Sequence, residues 1–233
     1  MTASVPVLAM DGPSGSGKGT ISRLVATRLG WQLLDSGALY RIVALAGAMH
    51  KLPPDDVEGH AALAKQLVIR FGSRHDGGEL VLLGAEPADI TDAIRTEEAG
   101  MGASRVAAWP PVRAALLERQ RAFARPPGLV ADGRDMGTVV FPSAALKIFL
   151  TATPEERARR RHNQLKDKGS GVSLAALSRE IAERDARDSS RAVSPLRAAS
   201  DAVVVDSTQM GIDEVVEHVL QLARERGLTG RRD

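Results

Sequence analysis

A glycine-rich stretch with one lysine, near the start of the chain, has the composition and spacing of a phosphate-binding loop. It reads DGPSGSGKGT over residues 11–20 and directly follows the apolar run Val5–Met10. Gly12, Gly15 and Gly17 permit backbone conformations and close approaches that a Cβ would obstruct, so successive N–H groups can point at phosphate oxygens. The pattern ISRLVATRL that follows predicts a helix, whose dipole adds to this attraction. The stretch therefore predicts binding of ATP or GTP, and a glycine turn without a ligand is the alternative.

The lysine of this loop and the two residues after it refine the prediction. Lys18 is placed to contact the β- and γ-phosphates, but Gly19 stands where GTPases and motor ATPases usually carry Ser or Thr. Because Gly19 has no side chain for Mg²⁺, we assign the Thr20 hydroxyl to the neighbourhood of the ion, whose shell is otherwise largely water and phosphate. The GKGT ending resembles nucleoside monophosphate kinases of the adenylate kinase type. The predicted ATP-binding residues are Gly12, Pro13, Ser14, Gly15, Ser16, Gly17, Lys18, Gly19 and Thr20.

A second charged stretch, VADGRDMGTVVFP at residues 130–142, continues a predicted strand into Asp132, Arg134 and Asp135. Open α/β sheets bind their ligands at the carboxyl ends of the strands. Because this strand is expected beside the strand of the phosphate loop, its charges are candidates for the same site. We assign Asp132 to Mg²⁺ and its waters.

The segment LLDSGALYR, residues 33–41, follows the second predicted strand and opens a predicted helix. Its Ser36, Tyr40 and Arg41 could contact an anionic ligand. Alternatively, Asp35 or Ser36 could serve only as the helix N-cap. The local sequence leaves both interpretations open.

The segment RDARDSSRAVSPL, residues 184–196, concentrates charges of both signs. Spacings of three and four residues place Arg184, Asp188 and Arg191 on one face of a predicted helix. Taken alone, the pattern fits a ligand-binding cluster and a surface salt-bridge ladder equally well.

The composition of the chain argues against several classes of protein. The 233 residues include no cysteine, which excludes disulfides and thiolate metal sites and favours a reducing compartment, the cytoplasm. Aromatic residues make up only 3% and charges of both signs are mixed, which argues against a nucleic-acid-binding surface. No segment approaches the ~20 apolar residues of a membrane helix, and the N-terminus lacks the basic region of a signal peptide. We expect one compact core.

Five short apolar runs alternate with helical patterns and predict the elements that position these residues. The runs are Val5–Met10, Trp31–Leu34, Leu129–Ala131, Leu146–Leu150 and Ala202–Val205. Strands that alternate with helices are typical of a parallel sheet covered by helices.

The long interval between the second and third runs predicts a different element. The runs Leu67–Phe71 and Glu79–Gly84 are separated by a polar stretch that contains Gly77 and Gly78. This pattern is typical of a β-hairpin, which would belong to a small antiparallel insertion.

The last third of the chain predicts mostly helices. Residues 154–191 predict two helices joined by a turn at Lys168–Gly171, which form either a solvated helical hairpin or a mobile lid. A final helix is predicted over Gly211–Arg226, and residues 229–233 are expected to be a frayed tail. The predicted apolar face of the final helix comprises Ile212, Val215, Val216, Val219, Leu220 and Leu222.

Taken together, these segments closely resemble the bacterial cytidylate kinase family. The resemblance rests on DGPSGSGKGT, LLDSGALYR, IRTEEAG, SRVAAWPPVR, RQRAF, ADGRDMGTVVFP, KIFLTA and RDSSRAVSPL, spread from the phosphate loop towards the final helix. It implies an α/β P-loop kinase with a five-stranded parallel sheet flanked by helices, a small antiparallel β-containing monophosphate-binding insertion and a helical lid. The implied activity is the ATP-dependent phosphorylation of CMP and dCMP, with Mg²⁺ as cofactor. The alternatives are a kinase for another nucleoside monophosphate such as UMP, or a nucleotide-binding switch.

The resemblance also implies roles for individual residues. Cytosine would be surrounded by Ser104, Arg113 and Asp135, with the carboxylate facing the 4-amino group and the guanidinium facing the N3 and O2 acceptors. The residues implied around the acceptor phosphate are Arg41 and Arg134, with Ser36, Gly37 and Tyr40 nearby. The residues implied around the sugar are Arg184, Asp188 and Arg191. The implied catalytic residues are Lys18, Asp132, Arg134 and, from the row RARRR that would close over ATP, Arg157 and Arg161.

The resemblance finally implies one kinase domain in three parts. These are a core at about residues 1–40, 128–153 and 192–227, an insertion at about 41–127, and a lid at about 154–191. We expect ATP and CMP or dCMP as small-molecule partners, no nucleic acid or membrane partner, and a monomer.

Overall fold

The computed structural model describes residues 5–73, 79–166 and 172–229. The predicted hairpin turn at Gly77 and Gly78, the predicted helix connection Lys168–Gly171 and the tail beyond Thr229 lie outside these residues. The chain forms two compact units, of which the second is Ser36–Arg119 and the first comprises the residues before and after it. The expected division into core, insertion and lid stays a prediction.

Both units contain strands and helices. The strands are, in chain order, β1 (Val7–Asp11), β2 (Gln32–Asp35), β3 (Ile69–Ser73), β4 (Glu79–Leu83), β5 (Ala88–Asp89), β6 (Leu129–Gly133), β7 (Leu146–Thr151) and β8 (Val203–Asp206). The described helices are α1 (Lys18–Leu29), α2 (Ser36–Met49), α3 (Val57–Gln66), α4 (Glu97–Val106), α5 (Pro110–Arg121), α6 (Pro154–Lys166), α7 (Leu174–Ser189) and α8 (Ile212–Glu225).

The first unit is built on a five-stranded parallel sheet in the order β2-β6-β1-β7-β8. The five predicted strands and their parallel arrangement are therefore confirmed. Strand β1 is buried along its whole length because strands pair on both sides of it and helices cover the sheet. The register pairs Asp11 with Gly133 and Asp35 with Asp132, so these strand ends meet at the same edge of the sheet. This is the edge at which α/β sheets bind ligands.

The core of the first unit joins side chains of β1, α1, β6, β7 and α8. Leu8, Met10, Val25 and Ile148 are almost fully buried there. The predicted apolar face of α8 is confirmed at Val215, Val216, Val219 and Leu220, and Leu222 packs against the core in part. Ile212 was wrongly included, since as the first residue of α8 it is 55% exposed.

The prediction that Arg184, Asp188 and Arg191 share one helical face is wrong for Arg191. Helix α7 ends at Ser189, so Arg191 lies beyond the helix and does not share a helical face with Arg184 and Asp188. The chain turns back there, because Leu196 N–H donates to the carbonyl of Asp188 at 2.8 Å. Arg191 still reaches Asp188, although through this turn rather than through helical spacing.

The second unit contains α2, α3, α4 and an antiparallel sheet in the order β3-β4-β5. The predicted hairpin is confirmed, and the two-residue strand β5 extends it. Helix α2 packs closely against α3 and α4 because glycines face the contacts. A Cβ on Gly47 would lie 2.2 Å from His60 Nε2, and one on Gly102 would lie 2.9 Å from the Cβ of Ala44.

None of the helices that the structure describes is both long enough and apolar enough to span a bilayer.

Candidate active site

The phosphate loop leaves β1 at Gly12 and enters α1 at Lys18. Gly15 and Gly17 have φ angles of 78° and 93°, in the region that glycine adopts without strain. Gly12 is required for a different reason, because its Cβ would lie only 2.0 Å from the carbonyl oxygen of Leu150 on β7. The glycine spacing read from the sequence therefore matches the backbone that the loop adopts.

Lys18 is folded over this loop. Its side chain is 5% exposed, and Nζ donates to the Pro13 carbonyl at 2.8 Å and to Ser16 Oγ at 3.4 Å. Burial and the nearby charge of Arg134 lower the pKa of Lys18 to about 7. A bound phosphate would supply the negative charge that favours the protonated lysine.

Asp132 faces the start of α1 from the adjacent strand β6. A Cβ on Gly19 would lie 3.5 Å from Asp132 Oδ2, an ordinary van der Waals distance that shows how close the carboxylate lies to the start of α1. Burial raises the pKa of Asp132 to about 6, against the opposing effect of Lys18. Thr20 follows Gly19 in the chain, and carboxylate and hydroxyl oxygens are hard donors that suit Mg²⁺.

Asp188 is the centre of a buried ion-pair cluster. Its side chain is almost fully buried, Arg134 Nε donates to Oδ2 at 3.1 Å, and Arg191 donates to Oδ1. Burial alone would raise the pKa of Asp188, but Arg134, Arg191 and Arg184 lower it further than burial raises it. The structure therefore brings together four of the predicted residues in the first unit and excludes the surface-ladder interpretation.

The predicted arginines of α6, Arg157 and Arg161, have different surroundings. Arg157 is buried and donates to the Ser14 carbonyl at 3.1 Å and to Asp185 at 2.6 Å. Arg161 donates to Gln164 at 2.7 Å, within its own helix. Which arginine contacts ATP stays a prediction.

Arg160 was missed by sequence reasoning. Its Nη1 donates to the Ser16 carbonyl at 3.3 Å and to Ser207 Oγ at 3.0 Å. It therefore links the phosphate loop to the turn after β8. The arginine-rich sequence at residues 157–161 does not indicate that Arg160 contacts the loop. The direction in which each side chain points depends on the rotational position of the helix, which the local sequence does not show.

Asp11 was also missed. It is the last residue of β1, and its carboxylate accepts hydrogen bonds from the backbone N–H groups of Met136 and Gly137, both at 2.8 Å. Burial raises the pKa of Asp11 to about 6, although these two hydrogen bonds lower it. An acidic residue at a strand end just before a phosphate loop was the available sequence signal.

The second unit carries the other predicted acceptor residues. The guanidinium of Arg113, on α5, lies 5.6 Å from the ring centroid of Tyr40 on α2, in cation–π contact. Arg113 also donates to the Ala107 carbonyl at 3.2 Å. Ser104 Oγ, on α4, and Arg41 Nε, on α2, are buried and have no hydrogen-bond partner among the described residues. Ser36 is buried and Gly37 is partly buried at the start of α2, whereas Asp135 and Arg134 belong to the first unit.

Comparisons with known proteins identify the family of this chain. The sequence model of the cytidylate kinase family matches residues 8–225. The chain belongs to the cytidylate kinase family. The kinase is 55% identical to a cytidylate kinase of Stutzerimonas stutzeri over 99% of this chain and 100% of that protein. It is 57% identical to a cytidylate kinase of Pseudomonas paraeruginosa over 97% of this chain and 99% of that protein, and equally similar to one of Pseudomonas aeruginosa.

A solved structure supports the fold of the kinase. An uncharacterized protein from Eubacterium ventriosum matches with a TM-score of 0.51 and 10% identity, over 94% of this chain and 98% of that chain. The family and the observed sheet together confirm the predicted α/β P-loop kinase fold and the predicted activity, phosphotransfer from ATP to CMP and dCMP.

Proposed function

We propose that the kinase holds CMP or dCMP with the acceptor-binding residues that the sequence indicates, and that Lys18 and the phosphate loop hold ATP. The observation that carries this proposal is that two buried polar atoms, Ser104 Oγ and Arg41 Nε, have no hydrogen-bond partner in the part of the chain that the structure describes. A buried polar group without a partner costs about 1–3 kcal/mol. A ligand that satisfies both atoms would recover this free energy.

The cytosine base is proposed to lie against Ser104, Arg113 and Asp135. Cytosine has an amino donor beside two acceptors, so an ionised carboxylate and a guanidinium complement it. The cation–π contact with Tyr40 supports this role, because it holds the Arg113 guanidinium in one orientation.

The acceptor phosphate is proposed to bind Arg41 and Arg134, with Ser36, Gly37 and Tyr40 nearby. Among the described residues, Arg134 Nε donates to Asp188 and its Nη1 donates to the Gly133 carbonyl in its own loop, so these contacts hold the guanidinium beside the proposed sugar site. Arg184, Asp188 and Arg191 are proposed to hold the sugar. The kinase can accept dCMP only if the contacts of these residues with the sugar do not depend on its 2′-hydroxyl group.

In the chemical step, the main tasks of the protein are to position the two substrates and to neutralise the charge on their phosphates. Phosphoryl transfer passes through a loose, in-line transition state, and the acceptor is already an anionic oxygen, so no general base is required. Lys18, Arg134, Arg157 and Arg161 are proposed to neutralise charge on the phosphates. This role suits arginine, whose planar fork pairs with phosphate oxygens.

The metal is proposed to be Mg²⁺, held near Thr20 and Asp132 together with nucleotide oxygens and water. Mg²⁺ at this position would supply neutralisation of the negative charge on the nucleotide phosphates. Asp132 must be ionised for this role, which its pKa of about 6 permits at neutral pH.

The remaining features of the proposal concern the whole protein. We propose that residues 154–191 act as a lid over ATP, that the kinase is a monomer, and that it works in the cytoplasm. The contact of Arg157 with the phosphate-loop carbonyl of Ser14 supports the lid assignment, since it places α6 beside the loop.

The proposed specificity is tested by a coupled assay of ADP release with ATP, Mg²⁺ and each of CMP, dCMP, UMP, AMP, GMP and dTMP. We expect turnover largely with CMP and dCMP. Equal turnover with UMP would overturn the base assignment, and ATP binding without turnover of any monophosphate would favour the alternative of a nucleotide-binding switch.

A further inference from the structure

A buried carboxylate with no place in the proposed chemistry lies directly before the phosphate loop. Asp11 is 4% exposed. Its Oδ1 accepts from Met136 N–H and its Oδ2 accepts from Gly137 N–H, both at 2.8 Å. Each oxygen is therefore engaged with one of two successive N–H groups from a segment more than a hundred residues away in sequence.

The segment that Asp11 holds is a short π-helical turn, Met136–Val140, which begins immediately after Asp135. The carbonyl of Asp135 accepts from Val139 N–H at 2.9 Å and from Val140 N–H at 3.2 Å. The N–H of the same peptide group, that of Met136, donates to Asp11. Both ends of this peptide group are thus hydrogen-bonded, which restrains the backbone from which the Asp135 side chain extends.

Packing around Gly137 restricts the turn further. A Cβ at this position would lie 3.1 Å from Cδ of Lys147 and 3.4 Å from Asp11 Oδ2. Lys147 is itself buried on β7 and paired with Asp201 at 2.9 Å. The start of the turn therefore packs against side chains of two neighbouring strands, Asp11 of β1 and Lys147 of β7.

We propose that Asp11 is a positioning residue for the phosphate acceptor, because its carboxylate holds the start of the 136–140 turn and thereby aims Asp135 and Arg134. The inference rests on the proposed function, in which those two side chains contact CMP. The next residue, Gly12, begins the phosphate loop, so one carboxylate fixes the acceptor-binding turn relative to the loop that binds the donor.

The substitution Asp11→Asn tests this role with the smallest change in shape. One of the two acceptor oxygens becomes an NH₂ group, which would face a backbone N–H and leave that donor unpaired. Loss of a buried hydrogen bond of this kind predicts a KM for CMP raised about tenfold, and a KM for ATP within about twofold of the wild type. Backbone amide exchange at Met136 and Gly137 should become faster.

Asp56→Asn is the matched control. Asp56 also accepts a hydrogen bond from a backbone N–H, that of Gly59, at 2.9 Å. However, Asp56 is the N-cap of α3 and has no assigned contact with either substrate. Asn and Asp are comparable helix caps. Both KM values of this variant should stay at the wild-type level.

A second variant, Gly137→Ala, covers the case in which Asp11→Asn does not fold. Its methyl group presses on Lys147 and Asp11 while both charges remain, so it should raise the KM for CMP selectively as well. The inference is overturned if the KM for ATP rises as much as that for CMP, or if only kcat falls, since either result would give Asp11 a role in the donor loop or in stability alone.

A parallel Asp135→Asn measurement separates this inference from the proposed function. If Asp11→Asn raises the KM for CMP while Asp135→Asn has no effect, the positioning role stands through Arg134 and the base assignment fails. If Asp135→Asn impairs CMP binding while Asp11→Asn changes neither KM nor amide exchange, the base assignment stands and the positioning role fails.

Discussion

Single buried charges of this kinase depend on specific partners, and Asp188 is the clearest example. Its carboxylate lies between Arg134 and Arg191, and these arginines with Arg184 hold its pKa below the ordinary value of 3.8 despite its burial. Removal of one partner from a buried ion pair costs about 3–5 kcal/mol, because the remaining charges stay buried. The fold therefore depends on the cluster being complete, and the same cluster is the proposed sugar site.

We predict that Asp188→Asn lowers the free energy of unfolding by about 3 kcal/mol at neutral pH. Because the folded-state pKa is depressed, the contribution of the ionised Asp188 is present above the ordinary pKa and is lost as the pH falls below 3.8 through the folded-state pKa. The difference between wild type and variant should therefore shrink in acid. Urea unfolding at several pH values measures it, with the exposed Asp213→Asn as control. A difference independent of pH would contradict the account.

At the scale of elements, the phosphate loop depends on the close approach of β1 and β7. Gly12→Ala would place a Cβ 2.0 Å from the Leu150 carbonyl, and the strands would have to move apart. Gly30→Ala is the matched control, because Gly30 also has a positive φ, 64°, but open space around it.

We predict that Gly30→Ala costs only the left-handed backbone strain, about 1–2 kcal/mol. Gly12→Ala should cost several times as much and should weaken ATP binding, as measured by denaturant unfolding and nucleotide titration. Equal losses of stability and of ATP affinity in the two variants would show that neither property depends on the close approach of β1 and β7.

Some features of the fold and the site could be predicted from the sequence alone, and others could not. The phosphate loop and the five strands were predictable because each depends on residues that are close in sequence, such as the glycines before Lys18. Arg191 was misplaced because the end of α7 at Ser189 is not marked by a glycine or an adjacent proline. The hydrogen bonds from Met136 and Gly137 to Asp11 join segments that are distant in sequence, so no local pattern could indicate them. Likewise, the sequence does not distinguish Arg160 from its neighbouring arginines, and only the fold shows that Arg160 faces the phosphate loop.

At the scale of the whole molecule, the kinase must transfer the phosphoryl group to CMP and not to water. The proposed lid, residues 154–191, would exclude water when it closes over ATP. We therefore predict that ATP hydrolysis without CMP is far slower than phosphoryl transfer with CMP, as measured by ADP release in the two conditions. An acceptor-independent rate close to the rate with CMP would argue against such closure.

The proposed specificity for CMP depends on Asp135, whose carboxylate is proposed to accept a hydrogen bond from the amino group of cytosine. The most direct test is the ratio of kcat/KM for CMP to kcat/KM for UMP, in the wild type, in Asp135→Asn and in the control Asp213→Asn. The unpaired acceptor of uracil predicts that the wild type and the control prefer CMP by about tenfold or more, and that this preference collapses in Asp135→Asn. A wild type that uses UMP as well as CMP, or an Asp135→Asn variant with an unchanged ratio, would contradict the account.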